Sequence, residues 1–160
     1  METKALLRTG GLLLAVVVLA AWLSALHIQL LLIHGDSMAP AYRSGALVLL
    51  EKRPEALERG DVLLVRSEAM GRSLVKRIAA AAGDTLTVEG ERILVNGVDT
   101  APLPPEGERA AFLDETPYVL PEGSLFLLGD NLAASVDSRD ARVGLVRVAD
   151  VRGRVCFPRR

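Results

Sequence analysis

A long apolar segment near the N-terminus constrains the fold more than any other feature of the chain. Residues 9–33 contain no Asp, Glu, Lys or Arg, and the most apolar part is residues 11–26. A helix needs about 20 apolar residues to span the hydrocarbon core of a bilayer. The segment therefore predicts a transmembrane helix over residues 10–27, with Trp22 near its outer end as an interfacial anchor.

The charges beside this segment predict its orientation. Lys4 and Arg8 precede it, and basic flanks stay preferentially on the cytoplasmic side of a membrane. We therefore predict a cytoplasmic N-terminus over residues 1–9. The protein would cross the cell (plasma) membrane once, and residues 28–160 would form an extracytoplasmic domain rich in β-strands.

Two other interpretations of the apolar segment fit less well. It could be a cleavable signal peptide, but it is longer than the usual apolar core of about 7–15 residues. It could also be a buried core helix, but the rest of the chain is too small and too rich in strand signals to surround one.

Composition excludes several classes of function. The chain has 160 residues and a formal net charge of -1, whereas nucleic-acid-binding domains normally carry a basic patch. The single cysteine, Cys156, excludes an internal disulfide and a cysteine-rich metal site. The two histidines, His27 and His34, show no metal-binding spacing. We therefore expect no nucleic-acid partner and no metal site, in one compact domain with an appendage.

After the apolar segment, short apolar runs alternate with turn-forming residues, which predicts many strands. Asn96-Gly97 predicts a tight hairpin turn. Residues 101–109 are rich in Pro, Gly and Glu, which predicts an exposed loop. We predict a mostly β fold, a compact antiparallel β-domain behind one transmembrane helix. The predicted strands are 28–33, 45–51, 61–66, 73–79, 85–89, 92–95 and 125–128, with a further strand or two within 143–155.

Ser37 lies in a stretch of small and turn-forming residues directly after the apolar segment. Taken alone, this stretch favours an ordinary β-turn over a nucleophile. A serine hydroxyl is a weak nucleophile and needs a neighbouring base. His34 is close in sequence, but we expect one extended segment here, and strand alternation would then send His34 and Ser37 to opposite faces. The expected role of His34 is therefore a solvated or hydrogen-bonded histidine.

Lys76 is the better candidate for the base, because it lies among apolar neighbours in Leu74-Val-Lys-Arg-Ile78. Burial would disfavour the charged amine and lower its pKa. The pKa must fall from about 10.4 to about 7–8 for Lys76 to act as a base near neutral pH. Strand alternation puts Lys76 and Arg77 on opposite faces, and the sequence leaves open which of the two points inward.

A polar, turn-forming stretch from Gly129 to Arg139 follows a predicted buried strand. Asp137 and Arg139 are close enough in sequence to form a bidentate ion pair that would fix this loop. For this stretch taken alone, a polar surface loop without a catalytic role is the simpler interpretation.

Four separated blocks together resemble the bacterial type I signal peptidases, the Ser-Lys peptidases of the membrane. No single block is decisive, but four in the expected order behind a membrane anchor form a specific pattern. The predicted anchor and strand-rich domain agree with this family. The blocks are Gly35-Asp-Ser-Met-Ala-Pro40, Arg59-Gly-Asp-Val62, Val75-Lys-Arg-Ile78 continuing to Gly83-Asp84, and Gly129-Asp-Asn131 with Ser135-x-Asp137-Ser138-Arg139.

The resemblance implies a role for each matching residue. Ser37 would be the nucleophile and Lys76 the general base. Ser135 would orient the Lys76 amine by a hydrogen bond, and Asp137 and Arg139 would pair to hold the loop around Ser135. The substrate pockets would be lined by Met38, at the residue that is cut, and by Leu31, Ile33, Leu74 and Val75.

The chain also departs from the family pattern. Gly35 stands where some members have a serine, so the oxyanion donors would be backbone N–H groups, chiefly that of Ser37. Ala46 stands where an Asp is frequent, and residues 132–134 are less polar than usual. The segment 139–144 is longer than usual, which leaves the local geometry of this loop open.

By resemblance, the protein is expected to be a membrane-bound serine endopeptidase that removes signal peptides from exported preproteins. Neutral Lys76 would take the proton of Ser37, an acyl-enzyme would form, and water would hydrolyse it. The substrate would add an extended segment to a sheet edge, and the reaction would require no metal or organic cofactor. The other expected partner is the lipid bilayer, and the protein is expected to be a monomer.

Three alternatives accompany this expectation. One is a Ser-Lys processing peptidase with a single dedicated substrate. A self-cleaving regulator of the repressor type shares the chemistry, but the predicted anchor and the lack of DNA-binding helices argue against it. The third is an inactive membrane-anchored β-domain that binds exported peptides; the presence of both Ser37 and Lys76 argues against it.

Overall fold

The computed structural model of the protein describes residues 13–19, 21–22 and 27–158. Residues 13–19 and 21–22 are helical. Within these described ranges, no helix is both long and apolar enough to cross a membrane. Part of the predicted transmembrane helix over 10–27, and all of the predicted cytoplasmic segment over 1–9, lie outside the described residues. Both therefore stay predictions.

The described residues after 27 form eleven β-strands and two short 3₁₀ helices. All the strand pairs among them are antiparallel, which confirms the predicted mostly β, antiparallel fold class. The strands are β1 Ile28–Leu32, β2 Leu47–Glu51, β3 Val62–Ser67, β4 Arg72–Ala81, β5 Thr85–Glu89, β6 Arg92–Val95, β7 Val98–Pro102, β8 Tyr118–Val119, β9 Ser124–Leu128, β10 Val146–Arg147 and β11 Val151–Phe157, and the 3₁₀ helices are Ala111–Asp114 and Val148–Asp150.

The strands form two sheets. The larger sheet has seven strands in the order β1-β2-β11-β3-β4-β9-β10, and the smaller has four in the order β7-β6-β5-β8. Consecutive strands β4 and β5 belong to different sheets, so the turn at 82–84 connects the two. The predicted hairpin turn joins β6 to β7, and both Asn96 and Gly97 have the positive φ angles that such tight turns require.

β4 is the longest strand and organises the larger sheet. Alternate residues from 74 to 80 are buried, as expected for a strand with one face on the core. β3 pairs with β4 over 72–77, whereas β9 pairs only with 77–81. Within the described chain, the edge of residues 72–76 that faces away from β3 therefore has no neighbouring strand.

β1 provides a second free edge. Among the described strands it pairs only with β2, at one end of the larger sheet. The successive antiparallel pairs β1-β2, β2-β11, β11-β3 and β3-β4 make β1 and β4 run in the same direction. β1 and residues 72–76 of β4 thus provide two free strand edges that run in the same direction.

Three clusters of buried apolar side chains hold the domain together. The first packs the smaller sheet against Phe126 and Leu128 of β9. The second packs Met38 and Tyr42, which follow β1, against β2, β3 and β11. The third joins β3, β4 and β9. Because Met38 is buried in the second cluster, the core itself positions the turn that carries Ser37.

The structure corrects two predicted boundaries. Residues 45–46 belong to a turn, in which the Gly45 N–H donates to the Ile33 carbonyl at 2.9 Å, and β2 begins only at Leu47. The predicted exposed loop over 101–109 also begins too early. Ala101 is fully buried between the sheets as part of β7. The Pro- and Glu-rich residues that follow it led to the prediction that residue 101 belongs to the loop.

Gly153 of β11 occupies a position without room for a side chain. A Cβ there would lie 2.6 Å from the Glu51 carbonyl oxygen and 2.7 Å from Leu50 Cγ. We expect Gly153→Ala to lower the free energy of unfolding by about 1–3 kcal/mol, because overpacking forces neighbouring groups to move. Urea denaturation in detergent measures this. Arg152→Ala, at the exposed neighbour, is the control and should change stability by less than about 0.5 kcal/mol; equal effects would contradict the prediction.

Candidate active site

A cavity of about 380 Å³ lies between β1 and the first half of β4. Ser37 lines it from the turn after β1, and Lys76 lines it from β4. The structure therefore brings the predicted nucleophile and the predicted base to one cavity. The predicted pocket residues line the same cavity, namely Leu31, Ile33, Met38, Leu74 and Val75.

Ser37 lies in a tight turn rather than on a strand. β1 ends at Leu32, and Gly35 has a φ of 83°, a left-handed conformation that favours glycine. The Gly35 N–H donates to Ser44 Oγ at 3.1 Å, and the Ser37 carbonyl accepts from the Asn131 N–H at 3.0 Å. The N–H of Ser37 has no hydrogen-bond partner among the described residues, so it can donate to a ligand.

The prediction that His34 and Ser37 lie on one extended segment, with their side chains on opposite faces, is wrong. The chain turns at Gly35, and His34 lines the same cavity as Ser37. The His34 ring is exposed, and its Nδ1 lies 3.1 Å from the Leu32 carbonyl oxygen. This contact fits the hydrogen-bonded, solvated histidine that was expected.

Lys76, not Arg77, is the inward-facing residue of the pair, with only 3% of its surface exposed. Leu63, fully buried on β3, lies opposite Lys76 in the strand register. Leu74 and Ile78 are buried before and after it on the same face of β4. The amine thus emerges from an apolar part of the sheet into the cavity.

This burial lowers the pKa of Lys76 from 10.5 to about 8, because apolar surroundings desolvate the ammonium form. The negative charge of Asp137 opposes the shift, while the positive charges of Arg72 and Arg139 reinforce it. A lysine with a pKa near 8 is partly neutral at physiological pH. It can therefore accept a proton, which an ordinary surface lysine cannot do efficiently.

Asp137 and Arg139 form a buried, bidentate ion pair. The Asp137 carboxylate accepts from Arg139 Nε at 2.8 Å and from Nη2 at 3.0 Å. It also accepts from the Gly129 N–H at 3.1 Å. The guanidinium further donates to the carbonyl oxygens of Leu132 at 2.8 Å and Pro102 at 3.5 Å. Removing either partner would leave a buried charge uncompensated, which is strongly destabilising.

The hydroxyl oxygen of Ser135 is buried and lies close to the Ser37 turn. A Cβ on Gly129 would lie 2.2 Å from Ser135 Oγ and 2.5 Å from the Ser37 carbonyl oxygen, so only glycine lets the two segments approach this closely. Ser135 Oγ has no hydrogen-bond partner among the described residues. The hydrogen bond to Lys76 that the resemblance implies is therefore not formed in this structure.

A second ion pair, which sequence reasoning missed, ties β4 to the same loop. Arg77 donates to the Asp130 carboxylate from Nε at 2.8 Å and from Nη2 at 2.7 Å, and its Nη1 donates to the Gly60 carbonyl at 2.7 Å. The next residue in the loop, Asn131, is the one that holds the Ser37 carbonyl. Arg77 and Asp130 are 53 positions apart, so no local pattern could reveal this pair.

Further residues line the cavity without having been predicted. Arg72 begins β4, and its strand position alone could have suggested that it shares a face with Lys76. Ala134 and Val136 flank Ser135, but nothing in the sequence indicates which way that loop faces. The others that sequence reasoning did not assign to the pocket are Leu32, Gly35, Asp36, Leu64 and Ser73.

A metal centre finds no support in the described ranges. None of the His, Cys, Asp and Glu side chains there form a group of three or more that could hold a metal ion.

Comparison with known proteins identifies the family. The family model described as signal peptidase, peptidase S26, matches residues 6–159. A signal peptidase I of Bacillus licheniformis is 30% identical over 89% of this chain and 83% of that protein. Signal peptidase I T of Bacillus subtilis (strain 168) is 28% identical over 98% of this chain and 88% of that protein.

Among solved structures, a signal peptidase I from Enterococcus faecalis V583 is 26% identical, with a TM-score of 0.48, over 64% of this chain and 99% of that one. The match to the family model spans nearly the whole chain. The protein therefore belongs to the signal peptidase family, peptidase S26, and is a peptide-bond hydrolase of that family.

Proposed function

We propose that the protein is a membrane-bound serine endopeptidase that removes N-terminal signal peptides from exported preproteins. One observation carries this proposal: Lys76, buried and with its pKa lowered to about 8, shares a cavity with Ser37. A serine hydroxyl beside an amine that is neutral near physiological pH is the combination that a Ser-Lys dyad needs. The names of the relatives, signal peptidases, support the substrate class.

In the proposed reaction, neutral Lys76 takes the proton of Ser37 Oγ while this oxygen attacks the carbonyl carbon of the scissile bond. The C–N bond then breaks, and the Lys76 ammonium returns the proton to the leaving amine. The signal peptide stays attached to Ser37 as an ester. Lys76 next takes a proton from water, whose oxygen attacks the ester, and the Ser37 hydroxyl is restored as the carboxylate product leaves.

Several groups would support these steps. The free N–H of Ser37 would donate to the oxyanion, since Gly35 has no hydroxyl to offer. Asp137 and Arg139 would keep the neighbouring loop rigid. We propose that Ser135 orients the Lys76 amine once substrate is bound, because catalytic hydrogen bonds often tighten only in the substrate complex. The mechanism uses only side chains and backbone groups of this chain, without metal or organic cofactor.

The two free strand edges suit an extended substrate. A peptide between β1 and residues 72–76 could hydrogen-bond to both edges, as in β-strand addition. β1 leads from the apolar segment towards Ser37, so a signal peptide emerging from the same membrane would run parallel to β1 and bring its cleavage site to Ser37. The residue at the cut would meet Met38, in a cavity that suits the small residues of an A-x-A cleavage site.

For the membrane, we propose the topology predicted from the sequence: a cytoplasmic segment 1–9, an anchor 10–27, and an extracytoplasmic catalytic domain 28–160 that acts as a monomer. The uncharged apolar segment supports this arrangement. Exposed apolar side chains on the outer face of β1, β2 and β11 support additional contact with the lipid bilayer. They are Leu30, Leu32, Leu47 and Phe157.

Substitution of the two reacting residues tests the function. We expect Ser37→Ala and Lys76→Met to lower kcat/KM for preprotein cleavage by about 10⁴-fold or more. Lys76→Arg should be equally inactive, because a guanidinium does not deprotonate in this pH range. Cleavage of a purified preprotein, followed by gel electrophoresis, measures this. Full cleavage by any of these variants would contradict the Ser-Lys assignment.

Controls separate loss of chemistry from loss of fold. Ser67→Ala and Lys52→Ala change residues outside the cavity and should cleave normally. Lys76→Met should also raise the free energy of unfolding at pH 7, because it removes the cost of burying a charged amine. A Lys76→Met protein that is inactive and less stable than wild type would point to misfolding instead.

The pH dependence of cleavage follows from the pKa of Lys76. Because the base must be neutral, kcat/KM should rise through an apparent pKa of about 8 and level off above it. The charge of Arg72 helps to lower this pKa, so Arg72→Gln should move the acid limb to higher pH. Arg66→Gln, at an exposed arginine outside the cavity, should leave it in place. Equal behaviour of the two variants would contradict the effect of the Arg72 charge on the pKa of Lys76.

Protease protection tests the topology. In spheroplasts, external protease should digest a tag at the C-terminus and spare a tag at the N-terminus until detergent opens the membrane. A C-terminal tag that stays protected in intact spheroplasts would overturn the proposed orientation.

A further inference from the structure

Arg72 lies four residues before Lys76 on β4 and lines the cavity. Its side chain neither bonds to substrate nor transfers a proton in the proposed reaction. We propose that Arg72 is a specificity-determining residue: it favours signal peptides with an acidic side chain about four to six residues before the cleaved bond, and it disfavours basic ones there. This inference rests on the proposed function and adds a preference for charge to it.

The position of Arg72 suits contact with the substrate. It is the first residue of β4 and lines the cavity. Strand alternation puts it on the same face as Leu74 and Lys76. It also lies on the free edge of residues 72–76, where a substrate strand would pair. A side chain that leaves this point towards the cavity would therefore run beside the bound peptide.

The guanidinium of Arg72 is also free to bind a carboxylate of the substrate. The residue is exposed, and its side chain forms no ion pair or hydrogen bond with any described residue. Its charge nevertheless reaches Lys76, whose pKa it helps to lower. An arginine without a partner offers several donors in a planar fork, which matches the geometry of a carboxylate.

The charges around the cavity leave this end positive. His34, Asp36 and Lys76 are the other titratable residues that line it. Asp36, the lone carboxylate among the described lining residues, adjoins Ser37 and so lies at the opposite end. No carboxylate among the described lining residues lies at the Arg72 end, and a positive charge there attracts an acidic group and repels a basic one.

Strand geometry gives the substrate position. Arg72 precedes Lys76 by four residues, which corresponds to about 13 Å along a strand. A substrate strand parallel to β4 has the same rise. With the residue at the cut beside Lys76, the residue beside Arg72 is about the fifth before the cleaved bond. The range of four to six allows for the stagger between neighbouring strands.

The test uses the full-length enzyme in detergent micelles and three peptides that differ only in Glu, Gln or Arg at the fifth residue before the cut. Assays at pH 9.5 keep Lys76 mostly neutral, so a changed pKa contributes little. For wild type, we expect kcat/KM to be about threefold higher with Glu than with Gln, and about threefold lower with Arg, mainly through KM. Salt at about 1 M should remove the difference.

Reversing the charge at residue 72 tests whether Arg72 determines the preference among the three peptides. Arg72→Glu should reverse the order of the peptides, whereas Arg66→Glu, on the neighbouring strand and outside the cavity, should keep the wild-type order. An unchanged order in Arg72→Glu, or a reversal in both variants, would overturn the role of Arg72 and leave the proposed peptidase intact. If wild type cleaved none of the peptides and no preprotein, the proposed function would fail, and the role of Arg72 with it.

Discussion

The site depends on one physical constraint, the burial of the Lys76 amine away from water. Lys76 is buried beside Leu63, Leu74 and Ile78, and its pKa falls from 10.5 to about 8. At neutral pH this shift opposes folding by about 3 kcal/mol. The unfolded chain binds the proton more tightly, so stability should rise between about pH 8 and 10.5. The apolar core of the larger sheet offsets this cost and makes the amine available as a base.

The segment after β7 contributes to the site although it does not line the cavity of Ser37 and Lys76. The Ala110 N–H donates to the Arg139 carbonyl at 2.8 Å, and the Ala141 N–H donates to the Glu108 carbonyl at 2.9 Å. The Arg139 side chain in turn holds Asp137. The segment that follows β7 therefore braces the loop that carries Ser135 and Asp137. On the other side of that loop, the Arg77–Asp130 pair fixes it to β4.

Local sequence signals predicted much of the fold. Apolar runs between turn residues located most of the strands, because burial and turn formation depend on neighbouring residues. The errors arose where distant contacts override a local signal. Ala101 is buried by residues of the other sheet despite its polar surroundings in sequence. His34 and Ser37 come together because the chain turns at Gly35, which the expectation of one extended strand ignored.

The sequence by itself determined the kinds of groups available: an uncharged apolar segment, a strand-rich domain, and one serine and one lysine in turn and strand contexts that suit a nucleophile and a base. Only the tertiary structure decided that Lys76 rather than Arg77 is buried, that its pKa falls, and that Arg72 lies beside the cavity. These properties depend on dielectric surroundings and charges contributed by residues from separate strands and loops. Such contacts exist only once the chain has folded.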